Sequence, residues 1–341
     1  MNAQDSTQNK VWRPLVGGET GEGVMPSWRA RSAFGLTVGV ICACLPLLAS
    51  ATAVSQPAIS EEPVSAQADE EGELFTITYP NGKKRREGRM LNGRRHGTWT
   101  AWYQNGQKQS VGEIYDYKRQ GYWKFWREDG TLEFEGELKD GRRTGYWKAY
   151  YATGIVEYEG DFDNGARNGV VKYYTDAGGL YREMTFVADV EHGPAKHFSP
   201  NTGVLYSEGP MVQGKQNGTW KRYYLTGELE FVGGFVSDLE NGHWTYYHKN
   251  GHPKDEGEYQ LGKRTGRWLA HYRNGQRRRD GYLDKGQQTG HWTGWYVDGQ
   301  KKFEGNYRDG LRNGRWTFWK PDGSVDEAQS GVYREGKKAN N

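Results

Sequence analysis

The chain has 341 residues, and its 46 Lys and Arg against 43 Asp and Glu leave a formal charge of only +3. Just 35% of residues are apolar while 14% are aromatic and 49 are Gly, which excludes a conventional Leu, Ile and Val core and suits a thin sheet faced with Trp and Tyr. Residues 73–341 hold 42 of the bases and 35 of the acids, interleaved, so the surface reads as soluble and nucleic acid is not expected as a partner.

The chain opens with a targeting pattern. Arg29 and Arg31 precede an apolar run over residues 33–53 that ends in Ala51-Thr52-Ala53, the small-x-small pattern a signal peptidase requires. This predicts a signal peptide over residues 1–53 and a mature chain, starting near Val54, that is periplasmic, on the cell surface or secreted. The leader is long, and a start at Met25 would give ordinary proportions. A membrane anchor over residues 33–53 is the alternative, since 21 residues can just span a bilayer, although Gly35, Gly39 and Pro46 weaken it. Cys42 and Cys44, in a loosely lipobox-like setting, are the only cysteines; after cleavage no disulfide, thiolate nucleophile or Cys-ligated metal remains. Residues 54–72, rich in Ser, Pro, Gln and acids, have the composition of a disordered linker.

From residue 73 the chain repeats every 24 residues, with eleven units starting at Glu73, Gly97, Gly121, Gly145, Gly169, Gly193, Gly218, Gly242, Gly266, Gly290 and Gly314. Such a period marks an array in which each unit buries apolar surface against its neighbours. With the opening residue as position zero, position two is Trp in Trp99, Trp123, Trp147, Trp220, Trp244, Trp268, Trp292 and Trp316. Position five is aromatic in Trp102, Trp126, Tyr150, Tyr174, Tyr223, Tyr247, Trp295 and Trp319. The odd spacing sends the two rows to opposite faces of a strand, the first a structural row and the second a packing or interaction face.

Position nine is a Gly, usually behind Asn or Asp, as in Asn105-Gly106 and Asn250-Gly251, which suits a tight hairpin turn. Positions thirteen, fifteen and seventeen put an apolar residue, Gly and another apolar residue on one face of a second strand. A Trp of an adjacent strand is expected to cover that Gly. A second turn, as in Asp140-Gly141, leads into the next unit. The pattern predicts an all-β fold: an elongated antiparallel β-hairpin meander, one twisted sheet of about 22 strands. In residues 169–216, Val171 and Ala195 replace Trp and Met184 replaces the strand Gly, which predicts a bend or a break, or a docking place.

Phe303-Glu304-Gly305-Asn306-Tyr307-Arg308-Asp309-Gly310, followed by Gly314-Arg315-Trp316, resembles the MORN repeat in its bacterial variant form; Tyr158-Glu159-Gly160-Asp161-Phe162-Asp163-Asn164-Gly165 is a second close copy. The resemblance covers almost all of the chain after residue 72. It implies antiparallel hairpin sheets that serve as scaffolds, protein-interaction surfaces or lipid contacts. It also implies an antitoxin or immunity-type label, which an export signal argues against for a cytoplasmic toxin.

No cofactor is expected. His243, His248 and His252 with Asp255 form the densest histidine group, but their unrelated phases point to strand and turn positions rather than a metal site. Trp244 is expected to be structural and His248 dispensable. Glu recurs at position fourteen, as in Glu87, Glu135, Glu159 and Glu304, a ladder suited to cross-strand pairing with Lys124, Lys148 and Lys221 rather than a catalytic dyad. Bases cluster at Lys83, Lys84, Arg85 and Arg86, with Arg94 and Arg95 nearby, and at Arg277, Arg278 and Arg279. These nine are the candidate anion or lipid contacts.

The expected function is a non-enzymatic, exported, protein-interaction or envelope-associated scaffold with an unknown protein partner. An anionic membrane surface is the first alternative. A cell-wall glycan is another, because Gly-x-Trp-x-x-Tyr-Tyr units resemble choline-binding repeats, though those lack the Glu-Gly-x-Tyr half.

Overall fold

The computed structural model describes residues 72–339. The expected signal peptide, cleavage site, anchor alternative and linker, over residues 1–71, lie outside the described residues. Among the described residues there is no helix, and 24 strands run from Glu73–Thr78 to Lys337–Lys338. Each pairs antiparallel with its sequence neighbour in one open meander. The strand count exceeds the expected one partly because Lys215–Gln216 and Gly218–Tyr223 are two pieces of one strand, both lying on Leu205–Val212. Short Gly331–Arg334 and Lys337–Lys338 complete the far edge.

The opening Gly of most units is not at a turn; it lies inside a strand such as the nine-residue Arg142–Tyr150. Against Leu132–Lys139, register runs Glu135↔Lys148 and Gly136↔Trp147, then jumps to Glu137↔Thr144. Gly145 and Tyr146 are thus two extra residues, accommodated by a positive φ of 61° at Gly145. Two extra residues keep the in-out alternation in step across the bulge, so Arg143 and Trp147 emerge on the same face. The recurring Gly-x-Trp is therefore a bulge signature. Hairpin turns close at the other end of the strands, where Tyr103 N donates to the Gln107 carbonyl and Gly106 N to the Tyr103 carbonyl.

One face carries the core. Trp99, Trp123, Trp147, Trp220, Trp244, Trp268, Trp292 and Trp316 are all buried. Trp123 and Trp147 pack with Ile114, Leu138 and Phe162 from position seventeen, and with Phe125 and Phe134 at the margin. Burial this deep on a single layer depends on the strand Gly, because each indole lies flat on it. A Cβ built on Gly136 would stand 2.5 Å from the Trp147 ring, and one on Gly281 2.0 Å from Trp292.

The sheet runs unbroken through residues 169–216. Where Ala195 stands in the Trp place, its direct partner is Met184 rather than Gly, and Met184 also faces Val171. All three are fully buried, at 1%, 1% and 0% exposure. The large and small partners have exchanged strands, so volume is conserved and no break arises. The extra residue near Asn201 is absorbed in a longer turn, in which Ser199 N reaches the Val204 carbonyl at 2.8 Å.

Candidate interaction site

The Trp row is roofed by guanidinium groups. Four residues before five of the eight Trp stands an Arg: Arg95 lies 4.7 Å from the Trp99 ring, Arg119 4.7 Å from Trp123, Arg143 4.9 Å from Trp147, Arg264 4.3 Å from Trp268 and Arg312 5.2 Å from Trp316, while Gln216, Glu240 and Gln288 precede the other three. Each indole N–H is turned into the bulge, where it donates to carbonyls the ladder leaves open. Trp147 Nε1 reaches the Glu137 carbonyl at 2.8 Å and the Thr144 carbonyl at 3.1 Å. Trp99 differs, with its Nε1 buried and unpartnered among the described residues.

The opposite face is an ionic and hydroxyl ladder. Glu135 takes Lys124 Nζ at 3.1 Å and the Tyr150 hydroxyl; Glu159 takes Lys148 Nζ at 3.6 Å and the Tyr174 hydroxyl at 2.6 Å. Glu208 takes the Tyr223 hydroxyl at 2.8 Å. Burial works to raise the Glu135 pKa, but hydrogen bonds from Tyr150 and Lys124 outweigh it and hold the carboxyl below its ordinary value. Burial, then the bond to Glu135, pushes the Tyr150 phenol up. Trp102, Trp126, Tyr247, Trp295 and Trp319 share this face, and every position-five aromatic named above is half-buried. Lys84 and Lys301 sit 5.9 and 5.6 Å from the Trp102 and Trp319 rings.

A lock absent from the sequence reading joins successive units. The position-six hydroxyl donates to the carbonyl 23 residues on: Tyr103 to Trp126, Tyr151 to Tyr174, Tyr224 to Tyr247 and Tyr272 to Trp295, each at 2.8 Å. His248 fills this position, with Nε2 3.1 Å from the His271 carbonyl, so it is a lock residue rather than a dispensable one. His243 instead pairs with Glu258 at 3.1 Å on the ladder face, and among the described residues no three His, Cys, Asp or Glu gather as a metal site would require.

The MORN repeat variant pattern matches at residues 95–114, 143–164 and 240–261, each of which carries the buried Trp of the core row. The chain carries MORN-variant repeats. No curated protein matches it. Among solved structures, crystal structures of TcdB2-TccC3 and of TcdB2-TccC3-Cdc42 share 10% and 11% identity over 71% of this chain, each with a TM-score of 0.19. The Tc holotoxin pore of Photorhabdus luminescens shares 11% identity over 78% of this chain, with a TM-score of 0.17. The chain spans 16% of the length of each of those chains, and likenesses this low carry no argument.

The MORN-variant sheet separates the basic clusters that the sequence groups together. Lys83 lies at a turn, with Nζ 3.1 Å from the Asn105 carbonyl; Lys84 pairs with Glu87 on the ladder face. Arg85 covers the Tyr79 ring at 5.7 Å, and Arg86 turns to the Trp face. Arg94 meets Asp116 at 2.7 Å on the turn column. Arg277 and Arg278 pair with Asp280 and Asp255, at 3.9 and 3.4 Å, while Arg279 faces Gly294 in register. Arg86 and Arg95 do come together with Arg119, around an open groove of about 460 Å³ floored by Trp99 and Trp123. Arg119 is the residue sequence reasoning missed there; its signal is the recurrent Arg-x-Gly-x-Trp spacing, hidden when each unit is numbered from its Gly because the Arg then falls in the unit before.

Proposed function

We propose that this MORN-variant array is an exported, non-enzymatic scaffold that holds a protein partner, at the envelope or outside the cell. The observation that carries the reading is the use of the recurring ionisable groups. Glu135 and Glu159 are engaged by lysine and tyrosine neighbours as structural rungs, while aromatic groups recur in most units, and basic groups in several, along the sheet. A repeated surface suits an extended partner better than a single small substrate. The family supports the coarser statement, that this is a repeat protein of a kind involved in binding.

The test is fractionation of native cells with intact mass, followed by light scattering of the extracted species after mild crosslinking. The expected product begins near Val54, lies outside the cytoplasm and carries a second polypeptide in fixed ratio. A cytoplasmic product overturns export, and an uncomplexed chain in its native compartment overturns the scaffold reading.

A further inference from the structure

The guanidinium roof of the first units lacks acid partners. Among the described residues no carboxylate lies within ion-pair distance of Arg86, Arg95, Arg119 or Arg143, whereas Arg167, next in the row, meets Asp189 at 2.9 Å. Burial, then the neighbouring charge of Arg86, pulls the Arg119 pKa down, the mark of cations gathered without compensation. Glu133 is the acid lining the groove, and it is turned to Arg127 at 3.9 Å. The turn column is different in kind, since Arg94 and Lys118 there are matched by Asp116 and Asp140. Arg264 and Arg312 also stand over Trp268 and Trp316 without an acid partner, but Glu240 and Gln288 interrupt the row there, so among the described residues consecutive unmatched guanidinium groups are found on the Trp face of the N-terminal units.

Its geometry is a ruler. Arg95, Arg119 and Arg143 recur every two strands, which at about 4.8 Å per strand puts them about 9.6 Å apart across the sheet. A polyproline II helix turns once in three residues with a rise of about 3.1 Å, so every third side chain returns to one face after about 9.3 Å. An extended β-strand sends every third side chain to the opposite face and does not fit. Aromatic-lined grooves take polyproline II segments because that helix arrives already ordered, and guanidinium forks take carboxylates in a planar, two-point fashion. Tyr103, Tyr117 and Trp123 line this groove together with Arg86, Arg95 and Arg119.

We propose that the Trp face of the first units binds an acidic polyproline II segment of a partner protein, with a carboxylate at every third residue meeting Arg95, Arg119 and Arg143 in turn. This rests on the protein-interaction reading above and names the chemistry of the partner. A flat anionic bilayer matches it less well, because Arg86, Arg95 and Arg143 are half-buried within the face and of the four only Arg119 is exposed.

The test is fluorescence anisotropy of the whole chain at low salt with two labelled peptides of equal composition. One carries Glu-Pro-Pro repeated four times; the other has its glutamates together at one end. The spaced peptide is expected to bind at least about fivefold tighter, and Arg119→Gln to weaken it about tenfold, as loss of a charged hydrogen bond does. Arg119→Lys keeps the charge without the fork and recovers only part of the binding, which a general folding defect would not produce. Arg315→Gln, far along the chain, leaves it unchanged. Equal affinity for the two peptides, or an Arg119→Gln protein that binds as well as the parent, overturns the proposal. So does phosphatidylglycerol vesicle or single-stranded oligonucleotide binding that is tighter than the peptide's and lost with Arg119. A native complex that persists in the Arg119→Gln protein sinks this inference and leaves the scaffold reading standing.

Discussion

The indole of Trp244 lies on Gly233, its register partner in the preceding strand, so closely that a Cβ on Gly233 would stand 2.1 Å from the ring. Its N–H donates to the Gly234 carbonyl at 3.0 Å, and the side chain is 2% exposed. Trp244→Ala therefore removes a filled gap and a hydrogen-bond donor together, at a cost of about 3–5 kcal/mol. Gly233→Ala lifts the ring and costs about 2 kcal/mol. Because the two side chains compete for one space, the double variant should lose clearly less than the sum. Urea unfolding with hydrogen exchange over residues 229–247 measures this, and strict additivity would mean that the ring does not depend on the glycine.

Met184 and Ala195 state the same relationship with its partners exchanged. Met184→Gly leaves a cavity beside Val171 and should cost about 3 kcal/mol, and Ala195→Trp alone forces an indole onto a methionine. Both changes together rebuild the Trp-on-Gly pair found at Gly136 and Trp147. The double variant should be more stable than either single one in thermal unfolding. A double variant no better than Ala195→Trp would show that these units have diverged in backbone as well as in side chains.

The hydroxyl lock gives a smaller effect. Tyr103→Phe leaves the ring in place and deprives the Trp126 carbonyl of its 2.8 Å donor, an expected loss of about 1 kcal/mol. His248→Ala should cost a similar amount, and His248→Tyr, which restores the commoner residue, should cost nothing. Hydrogen exchange of the turn amides at Gly106 and Gly251 reports the local loosening. A silent Tyr103→Phe at both probes would remove the lock from the account.

Much of this was legible in the sequence because a fixed period multiplies weak signals. Trp at position two and Gly at fifteen recur together, and their contact follows from strand pairing alone. The Gly-x-Trp bulge was less accessible: Gly145 resembles any turn glycine until the jump from Gly136↔Trp147 to Glu137↔Thr144 shows two extra residues within a strand. The basic cluster misled for a related reason. Lys84, Arg85 and Arg86 are contiguous, yet pleating and the bulged turn divide them between faces. Arg86, Arg95 and Arg119, scattered over 34 positions, are the ones that meet. A register shift decides the face of a side chain, and local sequence does not display it.

His197 makes the fold sensitive to acid. Its ring stacks on Trp220 at 6.0 Å, and Nδ1 is 3.0 Å from the Ser207 hydroxyl. Burial, then the positive charge of Arg182, pushes its pKa down to about 4. The folded state thus refuses a proton that the unfolded chain accepts near pH 6.5. The stability this neutral ring supports is fully present above pH 6.5 and is lost as pH falls through that value toward 4. With allowance for its partial exposure, the loss is about 2 kcal/mol. A sister unit places Phe125 at this position, stacked on Trp147 of the following unit at 6.4 Å. His197→Phe should therefore preserve the packing and abolish this part of the acid sensitivity. Unfolding of both proteins at pH 7 and pH 4.5 is the measurement, with the variant expected to gain on the parent at the lower pH. Parallel losses would place the acid sensitivity in the carboxylate ladder of Glu135 and Glu159, whose lowered pKa values also withdraw stability as pH falls.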